Sequence, residues 1–333
     1  MIFLYWQFIT SAFGLFPLNA SEFIVDNPIV NISSLGLVLV RGSGLEFSSY
    51  LTGLVEGDGS IVVPAEETKS YRPFFEIVFH IQDKILAETI QLKVGGTIQE
   101  KESYCRLLIR STDSVIRVIH LLNGNMRSPK IEALHRMIKW YNLNYNYDIK
   151  LLPLTNTPLN SDSWLSGFID ADGSFYLNWL FDKKDRPGSL QYYMRISQRQ
   201  DYHRESAMGN SYFNLMSKIS KLLSVPLRSR TRVRKNNYVE NSYEVRSGSY
   251  LSNYIILSYL LRYPLFSYKY RAVPIQIELL QLSKNKKYKL STGLDLLNEL
   301  KLKLTVKLSD LDSDLAFKYK KEHLNHIFKY FSF

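Results

Sequence analysis

The chain has 333 residues, and 42 Lys+Arg against 31 Asp+Glu give it a formal net charge of +11. An apolar share of 45% beside 22% charged residues supplies a packed core and excludes a disordered chain. The single cysteine, Cys105, excludes a disulfide framework and a cysteine-based zinc site. A basic balance favours a polyanionic partner, either nucleic acid or an anionic membrane surface, so the placement of the charge has to separate the two.

Residues 1–21 carry no charge, and the first acid is Glu22. Their length and apolarity suit a membrane span, but Pro17 and Asn19 spoil its far end and no basic segment precedes it. Residues 1–45 are therefore expected to be an apolar leader outside the fold, without stable membrane association, closed off by Gly42-Ser43-Gly44. Ser48 or Ser49 is expected to cap a helix through Gly57 that stops at Asp58-Gly59. Ser60–Val63 and Phe74–His80 have the pattern of strands, Lys84–Lys93 that of a helix broken by Gly95-Gly96, and Thr97–Glu100 with Tyr104–Ile109 that of a hairpin. Helices at Ser114–Leu122 and Lys130–Tyr141 complete a first half, 46–145, and a Pro-containing linker, 146–161, follows.

The same order then repeats over 162–333. A helix Trp164–Ala171 stops at Asp172-Gly173; Ser174–Phe181 and Tyr192–Ser197 are strands; Tyr212–Leu223 is a helix. Leu227–Arg234 and Tyr243–Ser247 form the second hairpin, and helices at Tyr250–Leu261 and around Lys269 close the unit. A basic extension carries Lys284–Lys289 and Lys301–Lys307. The two helix ends are 172 − 58 = 114 residues apart, a domain-sized duplication that is too long for a solenoid.

The repeat starts align as LTGLVEGDGS (51–60) and LSGFIDADGS (165–174). Gly53/Gly57 and Gly167/Ala171 place small residues four apart, on one face of each helix. Such faces let two backbones approach closely, so the helices are expected to cross about a pseudo-twofold axis and bring Asp58 beside Asp172. Two neighbouring carboxylates at helix C-termini repel unless a cation or a shared proton compensates. An oxygen-only donor set with open positions suits Mg²⁺, which keeps waters and accepts phosphate oxygens.

These doubled segments resemble the paired signature of the LAGLIDADG homing endonucleases and intron maturases, in the monomeric two-motif form, over residues 46–280. The resemblance implies an α+β fold of two αββαββα halves, whose saddle-shaped antiparallel sheets straddle double-stranded DNA. It further implies that Asp58 and Asp172 hold the metal, with backbone carbonyls of Gly57 and Ala171 contributing. Mg²⁺ is the expected ion, with Mn²⁺ able to substitute. Glu56 and Asp170 would serve helix-end structure. A basic residue late in each half nominates Lys130 and Lys269, and a water-positioning residue at the end of the second strand nominates Gln198. The first-half counterpart is expected at Asp83, with Gln82 adjacent. The family further implies a monomer encoded by a mobile mitochondrial intron, cutting a long target to promote homing; an RNA-splicing maturase acting on host intron RNA is the alternative. A regulator that binds DNA without cutting it is a third.

Other readings fare worse. Asp170-Ala171-Asp172-Gly173 looks like the opening of a calcium loop, but its twelfth position is Phe181, where a Glu is required. His323 and His326 can share a helix face, yet two imidazoles fall short of a catalytic zinc site. Charge placement favours DNA: Arg228, Arg230, Arg232 and Arg234 alternate along one strand and project from one face. Arg246, Arg195 and Arg199 can extend that row. Unpaired like charge on a strand face is costly without a polyanion. The first half offers a sparser set, Arg72, Glu76, Lys101, Arg106 and Arg110, with Thr68, Lys69 and Gln99 as further contacts. This asymmetry predicts a non-palindromic target.

Overall fold

The computed structural model describes residues 44–64, 71–204, 209–234, 237, 239–307 and 310–330. The expected leader before Gly44, and Thr68 and Lys69, lie outside the described residues. The first half runs α1 (Gly44–Asp58), β1 (Gly59–Val62), β2 (Phe74–His80), α2 (Lys84–Val94), β3 (Thr97–Glu100), β4 (Tyr104–Ile109), α3 (Thr112–Leu122) and α4 (Ile131–Tyr145). The second runs α5 (Trp164–Asp172), β5 (Gly173–Phe181), β6 (Pro187–Arg199), α6 (Phe213–Leu222), β7 (Arg228–Val233), β8 (Val239–Arg246), α7 (Tyr250–Arg262) and α8 (Ala272–Asn285). Each half is thus αββαββα with one further helix. Each builds a four-stranded antiparallel sheet, in the orders β1-β2-β4-β3 and β5-β6-β8-β7.

Strand alternation decides which face each sheet buries. Phe75, Ile77, Phe79, Cys105, Leu107 and Ile109 point into the first core, against Leu86, Ile90, Val115, Val118 and Ile119 of the helices. The intervening positions, Glu76, Val78, His80, Tyr104 and Arg106, form the opposite face. In the second sheet Met194, Ile196 and Val245 are buried, leaving Arg195, Ser197, Arg199, Glu244 and Arg246 on the open face.

Several boundaries differ from the sequence pattern, among them the starts of β6 at Pro187 and β8 at Val239 and the end of α4 at Tyr145. Helix α1 begins six residues before Tyr50, so Ser48 and Ser49 are buried within it and do not cap it; the Ser48 hydroxyl donates to the Leu121 carbonyl instead. Lys130 stands at the N-cap of α4, and Lys269 lies in a short 3-10 turn, Tyr268–Arg271, ahead of α8. The C-terminal extension holds two helices, α9 (Gly293–Thr305) and α10 (Ser313–Tyr330). Helix α10 sends Ile327 into the first-half core and buries His323, so this part of the extension is structural. Among the described residues, no helix is long and apolar enough to cross a membrane.

Candidate active site and nucleic-acid interface

Helices α1 and α5 touch through their small residues. A methyl built on Gly53 would lie 2.0 Å from the Trp164 carbonyl oxygen, and one on Gly167 2.0 Å from that of Tyr50. At the lower end, a methyl on Gly57 would lie 2.2 Å from the Ala171 Cβ and 3.3 Å from Asp172 Oδ2. The duplicated spacing therefore brings the backbones together and delivers Asp58 and Asp172 to one place.

The acids two positions earlier are fully committed to structure. Glu56 accepts from the Arg127 amide at 2.9 Å, the Ser128 amide at 2.6 Å and Trp164 Nε1 at 2.7 Å. Asp170 accepts from the Phe266 amide at 2.7 Å, the Ser267 amide at 3.1 Å and Tyr50 OH at 2.7 Å. Each acid thus ties the loop that carries its own half's lysine to an aromatic ring on the opposing helix. Burial raises both carboxyls, and the donated hydrogen bonds counter it. Removing such an acceptor strands several buried donors, each costing about 1–3 kcal/mol.

Those loops aim the lysines at helix ends. Lys130 Nζ donates to the carbonyls of Val55, Gly57 and Gly59 at 2.9, 3.2 and 2.9 Å. Lys269 Nζ donates to those of Ile169, Asp170 and Ala171 at 3.2, 2.7 and 3.0 Å. The ammonium groups sit where the helix dipoles are negative. Burial lowers the Lys130 ammonium to about 8, against the pull of Asp172, Glu56 and Asp58. Asp172 is raised to about 7, by burial and then by the charge of Asp58, with Lys130 and Lys269 opposing. Burial raises Asp58 as well, against the pull of Lys269 and then Lys130.

Gln198 Nε2 donates to Asp172 Oδ2 at 3.1 Å. Among the described residues the first half has no matching contact, and its equivalent position is not the one the sequence suggests. Gly59 pairs with Ile77 as Gly173 pairs with Ile196, so the position equivalent to Gln198 is the buried Phe79. Asp83 is buried four residues later and accepts from the Tyr268 amide at 2.5 Å, across the two halves. Burial raises its carboxyl to about 7. Gln82, buried beside it, shares with it the short 3-10 turn Ile81–Asp83, and its amide donates to His80 Nδ1 at 3.2 Å.

A cavity of about 600 Å³ opens on Asp58, Asp172, Lys130 and Gln198, with Arg199 and Arg204 on its wall. Two adjacent carboxylates, both raised by burial and Asp172 further by the charge of Asp58, form a donor set that a divalent cation fits. The Gly57 and Ala171 carbonyls already accept from a lysine each, which leaves a second lone pair on each oxygen. Among the described residues there is no cluster of three or more His, Cys, Asp or Glu. The two acids would therefore need help from oxygens outside the side chains.

The two halves each place an acid at the end of the paired helices and a lysine on helix-end carbonyls. A family model described as LAGLIDADG endonuclease matches residues 51–141 and 165–274, more than half of the chain. The chain belongs to the LAGLIDADG endonuclease family. It is 33% identical over 250 residues to the intron-encoded DNA endonuclease aI3 of Saccharomyces cerevisiae, an alignment covering 66% of this chain and 60% of that protein. The intron-encoded RNA maturase bI4 of the same yeast is 26% identical over 180 residues, covering 53% of this chain and 26% of that one. This LAGLIDADG chain therefore spans about 60% and a quarter of the lengths of these two relatives. Among solved structures, I-AabMI bound to uncleaved DNA aligns with TM-score 0.55 at 20% identity, covering 76% of this chain and 97% of that one. I-SmaMI bound to uncleavable DNA aligns with TM-score 0.56 at 16% identity, covering 77% and 97%.

The open faces of the two LAGLIDADG sheets differ in charge. Arg228, Arg230 and Arg232 line one edge strand, with Arg234 just beyond its end, but the row is not unpaired. Arg230 pairs with Glu244 at 2.8 Å and Arg234 with Glu240 at 2.8 Å. Arg246 pairs with the same Glu244 at 2.6 Å. The neighbouring segment Val239–Arg246 contained this answer, since its alternation puts Glu240 and Glu244 on the arginine face. Burial pushes Glu244 up, but the two guanidiniums outweigh it and hold the carboxyl below its ordinary value. Arg195 Nε donates to Ser174 Oγ at 3.3 Å, and Arg246 lies 5.2 Å over the ring of Tyr193, which stacks on Tyr176.

In the first half, Arg106 pairs with Glu76 at 3.4 Å and shares its face with Gln99. Arg110 lies over Phe74, and Lys101 is exposed in the β3–β4 turn. Arg72 sits elsewhere: it contacts Thr112 at the start of α3 and lies 5.5 Å over Tyr145 at the end of α4. The helix layer therefore claims Arg72 and turns it from the open face. His323 and His326 bond the Phe266 and Leu265 carbonyls at 2.7 and 2.8 Å, bracing the Lys269 loop.

Proposed function

We propose that this chain is a monomeric, site-specific endonuclease that hydrolyses double-stranded DNA and promotes homing of the mobile mitochondrial intron encoding it. The observation that carries the reading is the doubled site: Asp58 and Asp172 side by side, each half supplying a lysine fixed on a helix end. Asp58 and Asp172, with the carbonyls of Gly57 and Ala171, would hold the divalent cation, with Mg²⁺ as the physiological ion and Mn²⁺ as a substitute. Bound there, the cation supplies Lewis-acid chemistry at the scissile phosphate. Lys130 and Lys269 place positive charge where the phosphate becomes more negative, and Gln198 fixes the orientation of the Asp172 carboxylate.

Arg195, Arg228, Arg230, Arg232, Arg234 and Arg246 would contact one half of a long target, and Arg106 the other. Positions equivalent by strand register differ in charge: Glu76 answers Arg195, Arg106 answers Glu244 and Gln99 answers Arg228. Two unlike faces suit a non-palindromic site. The structure gives Arg72 the weakest claim of the proposed DNA contacts, because Thr112 and Tyr145 hold it.

The test begins with cleavage selection from a randomised duplex library in Mg²⁺ buffer. Asp58→Asn combined with Asp172→Asn should abolish cutting of the selected duplex, and undiminished cutting would overturn the assignment. The similarity to a protein named an RNA maturase supports a second role on host intron RNA. Filter binding against intron RNA and duplex DNA separates the two roles.

A further inference from the structure

The family match ends at residue 274, so the C-terminal extension falls outside it. The segment 301–307, KLKLTVK, carries three lysines, and its residues meet the edge strand β5 of the second sheet. Lys301 Nζ lies 3.4 Å from Asn178 Oδ1 and 5.0 Å from the ring centroid of Trp179, straddling the edge strand β5. Asn178 is four residues beyond Ser174 and shares its face with Arg195, so Lys301 continues the arginine surface past the sheet edge. Lys303 lines a cavity of about 150 Å³ with Gly173, Ser174, Lys269 and Arg271. Lys307 is exposed and directly follows Val306, which lines the same cavity.

These positions match a device of the other half. The larger cavity, beside β1 and Lys130, is walled by Arg199 and Arg204 of the second half. The smaller one, beside β5 and Lys269, is walled by the extension. Each half's lysine thus has a neighbouring cationic segment, drawn from a different part of the chain. Lys303 pairs with Glu299 at 2.5 Å, but at side-chain exposures of 55% and 58% water and salt screen that pair, and Lys303 remains available to a stronger anion.

We propose that Lys301, Lys303 and Lys307 bind backbone phosphates of the duplex on the second-half flank of the catalytic centre. The proposal rests on the endonuclease reading. The three ammonium groups act as point charges on phosphates, which set register and carry no base preference.

Each phosphate contact adds about 0.9 to the slope of log K against log salt on duplex DNA. K301Q/K303Q/K307Q should lower the slope by roughly 2.7, and K303Q/K307Q, at two exposed positions, by about 1.8. Fluorescence anisotropy with the labelled selected duplex, in EDTA, reads both. The ratio of affinities for the target and its single-base variants should not move. K318Q/K320Q/K321Q, on the exposed part of α10, serves as the charge-matched control and should keep the native slope. An unchanged slope in the triple variant, or an equal fall in the control, overturns the proposal. Failure of the native chain to bind any duplex overturns the endonuclease reading with it.

Discussion

The contact between Gly57 and Ala171 can be tested by moving one methyl group from one helix to the other. Alanine at 57 places its Cβ 2.2 Å from that of Ala171, whereas non-bonded carbons rest about 3.5–4.0 Å apart. Helices α1 and α5 must therefore part by more than an ångström at their acidic ends. Overpacking of this kind costs about 1–3 kcal/mol, and better helix propensity returns at most about 1 kcal/mol. Alone, A171G loses a methyl and about 1 kcal/mol of propensity.

Combined, the two substitutions exchange the residues. The propensity changes then cancel, and the contacts left for the new methyl are Asp172 Oδ2 at 3.3 Å and the residue-171 Cα at 3.6 Å. The double variant should return close to native stability, a coupling of about 1–3 kcal/mol in a urea-unfolding cycle followed by tryptophan fluorescence. Cleavage should fall in G57A and recover in the double variant, because the same displacement moves Asp58 away from Asp172. Additivity within about 0.5 kcal/mol would refute the packing argument. Gly53→Ala offers a contrast: its methyl meets the Trp164 carbonyl at 2.0 Å, a backbone atom that no side-chain exchange removes.

Two further outcomes follow from the charges. Asp172 keeps its proton up to about 7 in the folded chain, against an ordinary 3.8. The folded state therefore holds a proton that the unfolded chain has released, and stability falls as pH rises from about 4 to about 7. In EDTA, urea unfolding should give lower stability at pH 8 than at pH 5, with part of the difference lost in D172N; an equal difference in both proteins refutes the assignment, since only the share of the other raised carboxyls, Glu56, Asp58, Asp83 and Asp170, should persist. Glu244→Gln should leave Arg230 and Arg246 without their shared counter-charge and weaken base discrimination in that half-site, where a good bidentate pair is worth about 1–3 kcal/mol. Native ratios among single-base target variants would show that Glu244 does not position them.

Much of this architecture is written locally in the sequence. Alternation in FFEIVFH fixes β2 and its buried face, and Gly95-Gly96, both at positive φ, stops α2 where glycine alone is unstrained. The long-range partners are not local. Nothing near Glu56 announces the amides of Arg127 and Ser128, or near Asp170 those of Phe266 and Ser267, because these donors arrive only when the loops fold back over 71 to 97 residues. Phe79 as the counterpart of Gln198 emerges only from strand register, since β2 and β6 differ in length and linear counting slides past it. The ion pairs within the arginine row were legible in Val239–Arg246, but only by taking the strands as a pair rather than singly.

The duplication is strict where backbone geometry is at stake and loose where a ligand would be read. Small residues at 53, 57, 167 and 171 meet one another or a carbonyl, so a single added carbon is felt on both helices. The acids at 56 and 170 keep the same pair of loop amides and an aromatic donor, although one donor is Trp164 and the other Tyr50. On the open faces the equivalent positions exchange sign, Glu76 for Arg195 and Arg106 for Glu244, and the ion pair of the first half links different strands from those of the second. A chain under one symmetric demand at the centre and two different demands on its faces would diverge in this pattern. Substitutions at the α1–α5 contact should therefore damage cleavage at every sequence, whereas substitutions on one face should alter the sequence preference of that half-site alone.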